Sequence, residues 1–156
     1  MSLTSVKAWF ASNAPEIPVI ETDASTATVA LAAEAHGVAP GQIAKTLALR
    51  IADRVVLLVT RGDARLDNKK TKAAFGGRPR MLGPDEVLAV TSHPVGGVTP
   101  FGLPEKLPIY IDVSLRIYDE VIPAGGSTHA SVRLTVTRLV ELTHGEWVDC
   151  CEIPST

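Results

Sequence analysis

The chain of 156 residues is 46% hydrophobic and carries a formal charge of −2. This length and composition predict one domain spanning residues 1–156, with a core large enough to need no disulfide or metal. They exclude a strong overall electrostatic field for nucleic acid. Because no run approaches the ~18 apolar residues of a membrane helix and the first residues lack an apolar signal block, they also indicate a cytoplasmic protein that does not enter a membrane.

Helical and strand patterns alternate irregularly through the first part of the chain. Apolar residues recur at helical spacing over residues 3–13, and residues 17–22 predict a short strand. Residues 23–37 combine cap-forming residues, an Ala-rich body and a final glycine, which predicts a second helix. Two β-rich runs, 44–51 and 54–60, are separated by only two residues and predict an antiparallel hairpin.

The second part of the chain mixes helices, a long loop and strands. The patterns predict helices over 66–77, 83–91 and 137–145, a Gly- and Pro-rich loop over 92–108, and strands over 109–113, 120–124 and 131–136. This order is neither a regular βαβ alternation nor an all-β series. We therefore expect an α+β fold with a mixed, mostly antiparallel, barrel-like sheet and flanking helices.

Lys45 and Thr46 follow a glycine and precede an apolar run, as in a phosphate-binding loop. Such a loop needs glycines at the positions held here by Ala39 and Ala44, and its lysine should open a helix rather than a strand. The pattern therefore excludes a nucleotide triphosphatase of that class.

Side chains alternate between the two faces of a strand. Lys45 therefore shares one face of its predicted strand with the other odd-numbered residues, which include the apolar Ile43, Leu47 and Leu49. A lysine is rarely buried without a partner. Two interpretations stay open: the ammonium reaches solvent at the edge of the sheet, or it binds an anionic ligand in a pocket.

Two glycine-rich segments could bring backbone amides to a ligand. Residues 96–102 place three glycines and Pro100 around a hydroxyl and an aromatic side chain, which is typical of an anion-binding loop or of a plain tight connection. Residues 124–129 repeat the theme and place Ser127 two positions from His129. A hydrolytic Ser-His pair there is an alternative, although the nucleophile-elbow pattern is missing.

The densest basic stretch of the sequence consists of Lys69, Lys70, Lys72, Arg78 and Arg80. It predicts either a ridge for a phosphate backbone or a solvated helix face. The four histidines lack the spacing of zinc ligands, and the two cysteines are neighbours near the C-terminus. These patterns predict reduced thiols and no metal site.

Five segments of the chain, IAKTL, LDNKKTKAAFGG, VGGVTPFGL, LPIYIDVSL and AGG, resemble in order and spacing the YbaK-like family of prolyl-tRNA-associated editing domains. The resemblance runs from about Thr26 to Val148. It implies a freestanding aminoacyl-tRNA deacylase, which hydrolyses the ester of a mischarged tRNA without a metal or other cofactor. It also implies a mixed, barrel-like sheet with flanking helices.

The resemblance assigns roles to particular positions. Catalytic roles fall on Lys45, Gly96, Gly97 and Thr99. Substrate-binding roles fall on Thr28, Thr46, Val98, Pro100, Phe101, Gly125, Gly126 and Ser127. If the protein acts on tRNA, contact with its phosphates is predicted for Lys69, Lys70, Lys72 and Arg80, which belong to the basic stretch. Lys45 is expected to hold phosphate or ribose oxygens of the terminal nucleotide, while loop amides from Gly96 to Thr99 polarise the ester and a water attacks it.

The pocket wall departs from the cysteine-specific members of that family. Thr28 is the nearest equivalent of their aromatic residue on the second helix, and Ala124 replaces their serine before the paired glycines. Alanine, serine or threonine on a tRNA of the proline type is therefore at least as suitable a substrate as cysteine. Prolyl-tRNA synthetase is an expected partner, and the oligomeric state stays open. The alternative function is a non-catalytic, synthetase-associated module that binds an RNA end or a nucleotide.

Overall fold

The computed structural model describes residues 2–154 and shows an α+β fold with helices on both sides of a curled sheet. Two 3₁₀ helices, Pro40–Gln42 and Val113–Ile117, complete the helical structure. The α-helices of the described chain are α1 (Ser2–Asn13), α2 (Val29–His36), α3 (Asn68–Phe75), α4 (Pro84–Thr91) and α5 (Val136–Thr143). No helix within residues 2–154 is long and apolar enough to cross a bilayer.

The strands are short apart from one hairpin. They are β1 (Val19–Glu21), β2 (Ile43–Ile51), β3 (Arg54–Arg61), β4 (Arg65–Leu66), β5 (Arg80–Met81), β6 (Ile109–Asp112), β7 (Glu120–Pro123), β8 (Ala130–Val132), β9 (Leu134–Thr135), β10 (Glu146–Val148) and β11 (Cys151–Glu152). The main sheet has the order β10-β6-β3-β2-β7-β9, and β5 also pairs with β2. The two small sheets are β1-β8 and β11-β4.

Antiparallel pairs outnumber parallel pairs in this arrangement. The β2-β3 hairpin, β2-β5, β7-β9, β1-β8 and β4-β11 are antiparallel, whereas β2-β7, β3-β6 and β6-β10 are parallel. The predicted mixed, mostly antiparallel sheet with flanking helices is therefore confirmed.

Helix ends follow local side-chain chemistry. The hydroxyl of Thr28 accepts the N–H of Leu31 at 3.1 Å, and Gly37 ends α2 in the left-handed conformation. The helix predicted over 23–37 therefore begins only at Val29, because the extended backbone of Thr28 makes it a cap rather than a helical residue.

The strand predicted over 131–136 is divided in the structure. Its first part belongs to β8, which pairs with β1, and its second part is β9, which pairs with β7. Thr135 then caps α5 by accepting the N–H of Arg138 at 3.0 Å, so the helix starts at Val136. Strands β4, β5, β10 and β11 were not predicted, because two or three residues are too few to show an alternating hydrophobic pattern.

Both faces of the sheet are covered. Leu57 and Val59 of β3 pack with Phe10 and Phe101 in one core cluster, which also includes Ala44 and Ala48 of β2. The alternate residues, such as Leu49 of β2, pack with Phe75 and the two cysteines in a second cluster. The apolar face predicted for β2 is thus real, but its other face is buried too. Each fully buried Leu contributes about 1.5–3 kcal/mol to folding.

Candidate active site

A cavity of about 380 Å³ opens beside the middle of β2. It exists because the outer edge of β2 has two partners that do not meet: β7 pairs with Ile43 and Ala44, and β5 pairs with Leu49 and Arg50. Most of the wall is apolar. Its apolar side chains come from β2, β7, helices α2 and α4 and the residue after β5, and include Ala32, Ile43, Ala44, Ala48, Leu82, Val87 and Ile122.

Lys45 is part of the cavity lining and is half-buried. Its Nζ donates a hydrogen bond of 2.6 Å to the carbonyl of Ala64. Burial lowers the pKa of Lys45, while the nearby Cys151 sulfur, when ionised, and the Asp63 carboxylate raise it. An ammonium carries three N–H donors. The Ala64 carbonyl uses one, which leaves two for a ligand.

The turn that carries Ala64 is fixed by a two-pronged ion pair. Arg61 donates from Nε and Nη2 to the two oxygens of Asp63 at 2.9 and 2.6 Å, and these bonds lower the pKa of that carboxyl. The guanidinium also lies 5.8 Å from the centre of the Tyr118 ring. This Arg-Gly-Asp turn was not predicted from the sequence, although it holds the carbonyl that contacts Lys45.

Two threonines of the wall have buried hydroxyls without a partner within residues 2–154. These are Thr26, which is 5% exposed, and Thr46 of β2. A buried hydroxyl that makes no hydrogen bond costs about 1–3 kcal/mol. Thr28 also lines the cavity, but its hydroxyl is engaged as the cap of α2.

The loop 96–102 contributes Gly96 and Val98 to the wall. Gly97 instead joins the two glycine segments. Its N–H donates to the carbonyl of Pro94 at 2.9 Å, and its own carbonyl accepts the N–H of Gly126 at 3.0 Å. A Cβ at Gly97 would lie 2.7 Å from the backbone nitrogen of Ser127. The two segments therefore touch backbone to backbone, which requires Gly97.

Several residues assigned to the site by resemblance stand outside the lining. Thr99 and Phe101 are buried, and the Phe101 ring lies 4.6 Å from that of Phe10. Gly125 donates to the carbonyl of Ala130 at 2.9 Å, and Pro100 is buried. In the chain from Ser2 to Pro154, the cavity wall includes none of Gly97, Thr99, Pro100, Phe101, Gly125, Gly126 and Ser127.

Ser127 and His129 do not form a catalytic pair. The hydroxyl of Ser127 accepts the backbone N–H of His129 at 3.1 Å, while Nδ1 of the His129 ring contacts the Thr128 hydroxyl at 3.0 Å. A Ser-His hydrolase needs a bond between the serine hydroxyl and the imidazole. The described residues form no such bond, so the esterase alternative loses its geometric basis.

The basic residues are exposed but divided between two places. Lys69, Lys70 and Lys72 lie on α3, whose Phe75 packs in the second core cluster, on the sheet face opposite Ala44 and Ala48 of the cavity. Lys70 is engaged with Asp149 at 3.2 Å. Arg80 in contrast precedes Met81, an exposed residue of the cavity wall.

One buried cluster of potential metal ligands lies away from the cavity lining. The ligand atoms of Asp112, Cys150 and Cys151 lie within 4.8 Å of one another. Both cysteines are free thiols, as predicted. The carboxylate of Asp112 accepts the N–H groups of Cys150 and Ser114 at 2.9 and 3.0 Å, so it fixes the chain there.

The residues that close the far side of the cavity were not predicted from the sequence. Met81, Leu82 and Val87 come from β5, the following residue and α4, and Val95 precedes the glycine loop. They are ordinary apolar residues, and only their position across from β2 gives them a role.

Comparison with known proteins agrees with this architecture. The family model of the aminoacyl-tRNA editing domain matches residues 23–142. The uncharacterized protein YwhH of Bacillus subtilis (strain 168) is 45% identical over 154 residues, which cover 97% of this chain and 98% of that protein. EbsC of Enterococcus faecalis, named as a candidate Cys-tRNA(Pro)/Cys-tRNA(Cys) deacylase, is 28% identical over 120 residues, covering 75% and 73%.

A solved structure gives the same result for the fold. The crystal structure of a candidate trans-editing enzyme for prolyl tRNA synthetase superposes with a TM-score of 0.89 at 35% identity, covering 96% of each chain. The sequence match and the shared fold extend over the strands and loops that form the cavity. The chain therefore belongs to the aminoacyl-tRNA editing domain family.

Proposed function

We propose that this protein is a freestanding aminoacyl-tRNA deacylase that removes a small wrong amino acid from a tRNA of the proline type. The observation that carries the proposal is one cavity whose wall includes Lys45, Thr46 and the glycine loop at Gly96 and Val98. Its volume of about 380 Å³ falls within the range of about 300–1,000 Å³ of small-molecule sites.

Lys45 would hold phosphate or ribose oxygens of the terminal nucleotide with the two N–H donors that Ala64 leaves free. The Gly97 N–H is engaged inside the loop, so the amides available to polarise the ester are those of Gly96 and Val98, which donate to no backbone acceptor within residues 2–154. A water then attacks the ester carbon, and these amides stabilise the charge on its oxygen.

The apolar wall favours a small side chain. Ala32, Ala44 and Ala48 leave room, but they offer no charged partner to a polar substituent. An alanine, serine or threonine ester fits this environment at least as well as a cysteine ester. One methyl group changes the reaction rate by about 10–200-fold. The cleavage rates of these esters should therefore differ by degrees rather than all or none.

The test is a panel of tRNA(Pro) species charged with alanine, serine, threonine, cysteine and proline, in which loss of the amino acid is followed with time. We expect release above the buffer rate for small residues and little release of proline. The panel is run with and without prolyl-tRNA synthetase, because a net charge of −2 favours delivery by a partner. Retention of every amino acid, with measurable salt-sensitive binding, would favour the non-catalytic module.

A further inference from the structure

The outer edge of β2 is open at Thr46, in the wall of the cavity. At the neighbouring pair Ala48-Leu57 the backbone groups point outward from the hairpin. The N–H of Leu57 donates to Pro108 at 3.0 Å, and the carbonyl of Ala48 accepts the N–H of Leu82 at 3.1 Å.

The direction of backbone groups alternates along an antiparallel ladder. Thr46 lies two residues from Ala48 and opposite Val59, so it also turns its N–H and C=O away from β3. On that side β7 pairs no further than Ala44, and β5 begins its pairing at Leu49. Within residues 2–154, the N–H and C=O of Thr46 consequently have no strand partner.

A second observation indicates that a polar ligand group enters here. The hydroxyls of Thr26 and Thr46 are buried and unpartnered in the same wall. Buried polar groups are nearly always hydrogen-bonded in folded proteins. Four polar groups without a protein partner, in a mostly apolar wall, therefore indicate a site that is completed by its ligand.

We propose that the open edge at Thr46 recognises the free α-ammonium group of the aminoacyl ester, chiefly through the carbonyl oxygen of Thr46. This inference rests on the proposed deacylase function. The described wall of the cavity includes no Asp or Glu, so a positive group must be held by backbone and hydroxyl oxygens. An aminoacyl group presents an N–H donor and a carbonyl across one Cα, which is the pattern an edge strand pairs with.

The consequence is selectivity for aminoacyl over acylated or peptidyl esters. Acetylation of the α-amino group removes its charge and two of its N–H donors. The added acetyl group would also collide with the edge of β2. The protein would then cleave mischarged tRNA but spare peptidyl-tRNA, which carries an amide at the same place. Because recognition is chiefly through the backbone carbonyl, removal of the Thr46 hydroxyl should weaken this selectivity only in part.

The first experiment measures binding without hydrolysis. ¹⁵N-labelled protein is titrated with 3′-(alanylamino)-3′-deoxyadenosine and with its propionylamino counterpart, which lacks only the α-amino group. We expect at least about tenfold tighter binding of the amino compound, with a shift of the Thr46 amide resonance. Equal dissociation constants for the two compounds would overturn the inference.

The second experiment compares alanyl-tRNA(Pro) with N-acetylalanyl-tRNA(Pro), each rate being divided by its spontaneous rate because the ammonium itself activates the ester. We expect the acceleration to fall at least about tenfold on acetylation. Equal accelerations would refute recognition of the amine but leave the deacylase intact. Selective binding of the amino compound without cleavage of either ester would support recognition of the amine but refute the deacylase function.

Discussion

At the scale of single residues, Lys45 shows how a charge is kept inside an apolar fold. Its ammonium is half-buried, and its hydrogen bond goes to a carbonyl rather than a carboxylate. A carbonyl stabilises the ammonium only in part, since it carries no full charge. Lys45 thus retains two N–H donors, and the nearby Asp63 carboxylate compensates its charge only in part.

Replacing Lys45 by Ala should lower the deacylation rate by about 10²–10³-fold, the usual loss for one preorganised electrostatic contact. Stability should change by no more than about 1 kcal/mol, because Lys45 is only half-buried and its hydrogen bond goes to one backbone carbonyl. Single-turnover rates on alanyl-tRNA(Pro) and urea unfolding check both parts. Lys106→Ala, on an exposed loop, is the matched control, and undiminished cleavage by Lys45→Ala would refute the role.

His93 is a second buried ionisable residue, and the mechanism does not use it directly. It is fully buried, and its Nε2 contacts the carbonyl of Phe101 at 2.7 Å, so Nε2 carries the proton and donates. Nδ1 lies 2.7 Å from the hydroxyl of Ser2, which also donates to the carbonyl of Gly126. The ring thus links the two glycine segments to α1.

Acid should destabilise the protein through His93. Burial lowers the pKa of His93, against the opposing effect of the Phe101 carbonyl. The unfolded state therefore binds the proton more readily, and stability is lost as pH falls below about 6.5. Urea midpoints at pH 7.5 and 5.5 should differ less in His93→Gln than in the parent, although the variant is less stable overall. An equal acid loss in both proteins would contradict this assignment.

At the scale of elements, the two glycine segments act as one unit. The Gly126 N–H bonds the Gly97 carbonyl at 3.0 Å, and the Gly97 N–H closes a turn onto Pro94. These contacts fix the neighbours Gly96 and Val98 in the cavity wall. The loop is therefore positioned by backbone contacts that any side chain at Gly97 would separate.

Gly97→Ala should reduce both stability and cleavage. The new Cβ would lie 2.7 Å from the nitrogen of Ser127, and such overpacking costs about 1–3 kcal/mol. Gly77→Ala is the matched control, because its Cβ would meet only Ile51 at an ordinary 3.7 Å. Thermal unfolding and alanyl-tRNA(Pro) turnover give the comparison, and equal behaviour of the two variants would show that the segments can separate freely.

At the scale of the whole molecule, charge is distributed without a dominant field. The net charge is −2, and the exposed lysines of α3 lie on the sheet face opposite the apolar wall of the cavity. Lys70 is already paired with Asp149. Contact with the tRNA body should therefore involve few phosphates and be weak.

The salt dependence of tRNA binding tests this distribution. We expect the slope of log K against log salt to be shallow. The double change Lys69→Ala and Lys72→Ala should reduce its magnitude by about 1 for each phosphate that the variant no longer binds. Filter binding between 50 and 200 mM salt measures the slope, with Lys7→Ala on α1 as control. A slope unaffected by the double change would remove α3 from the tRNA interface.

Much of the fold and part of the candidate site were predictable from local patterns. The β2-β3 hairpin, the caps of α2 and the glycine segments follow from residues close together in the chain, whose chemistry acts on their own neighbourhood. The special position of Lys45 was visible because a lysine interrupts an apolar face. The apolar wall was not visible, since Met81 and Val87 look like any other core residues.

The sequence alone determined that this chain is an α+β protein with a lysine-bearing strand and two glycine segments, because those signals are periodicity, turn chemistry and composition. Only the tertiary structure decided that β7 and β5 leave a gap at Thr46 and that Gly97 uses its N–H within its own loop. The physical reason is that strand pairing and cavity formation depend on contacts between distant segments. Short apolar runs permit many such pairings, and packing of the complete chain selects one.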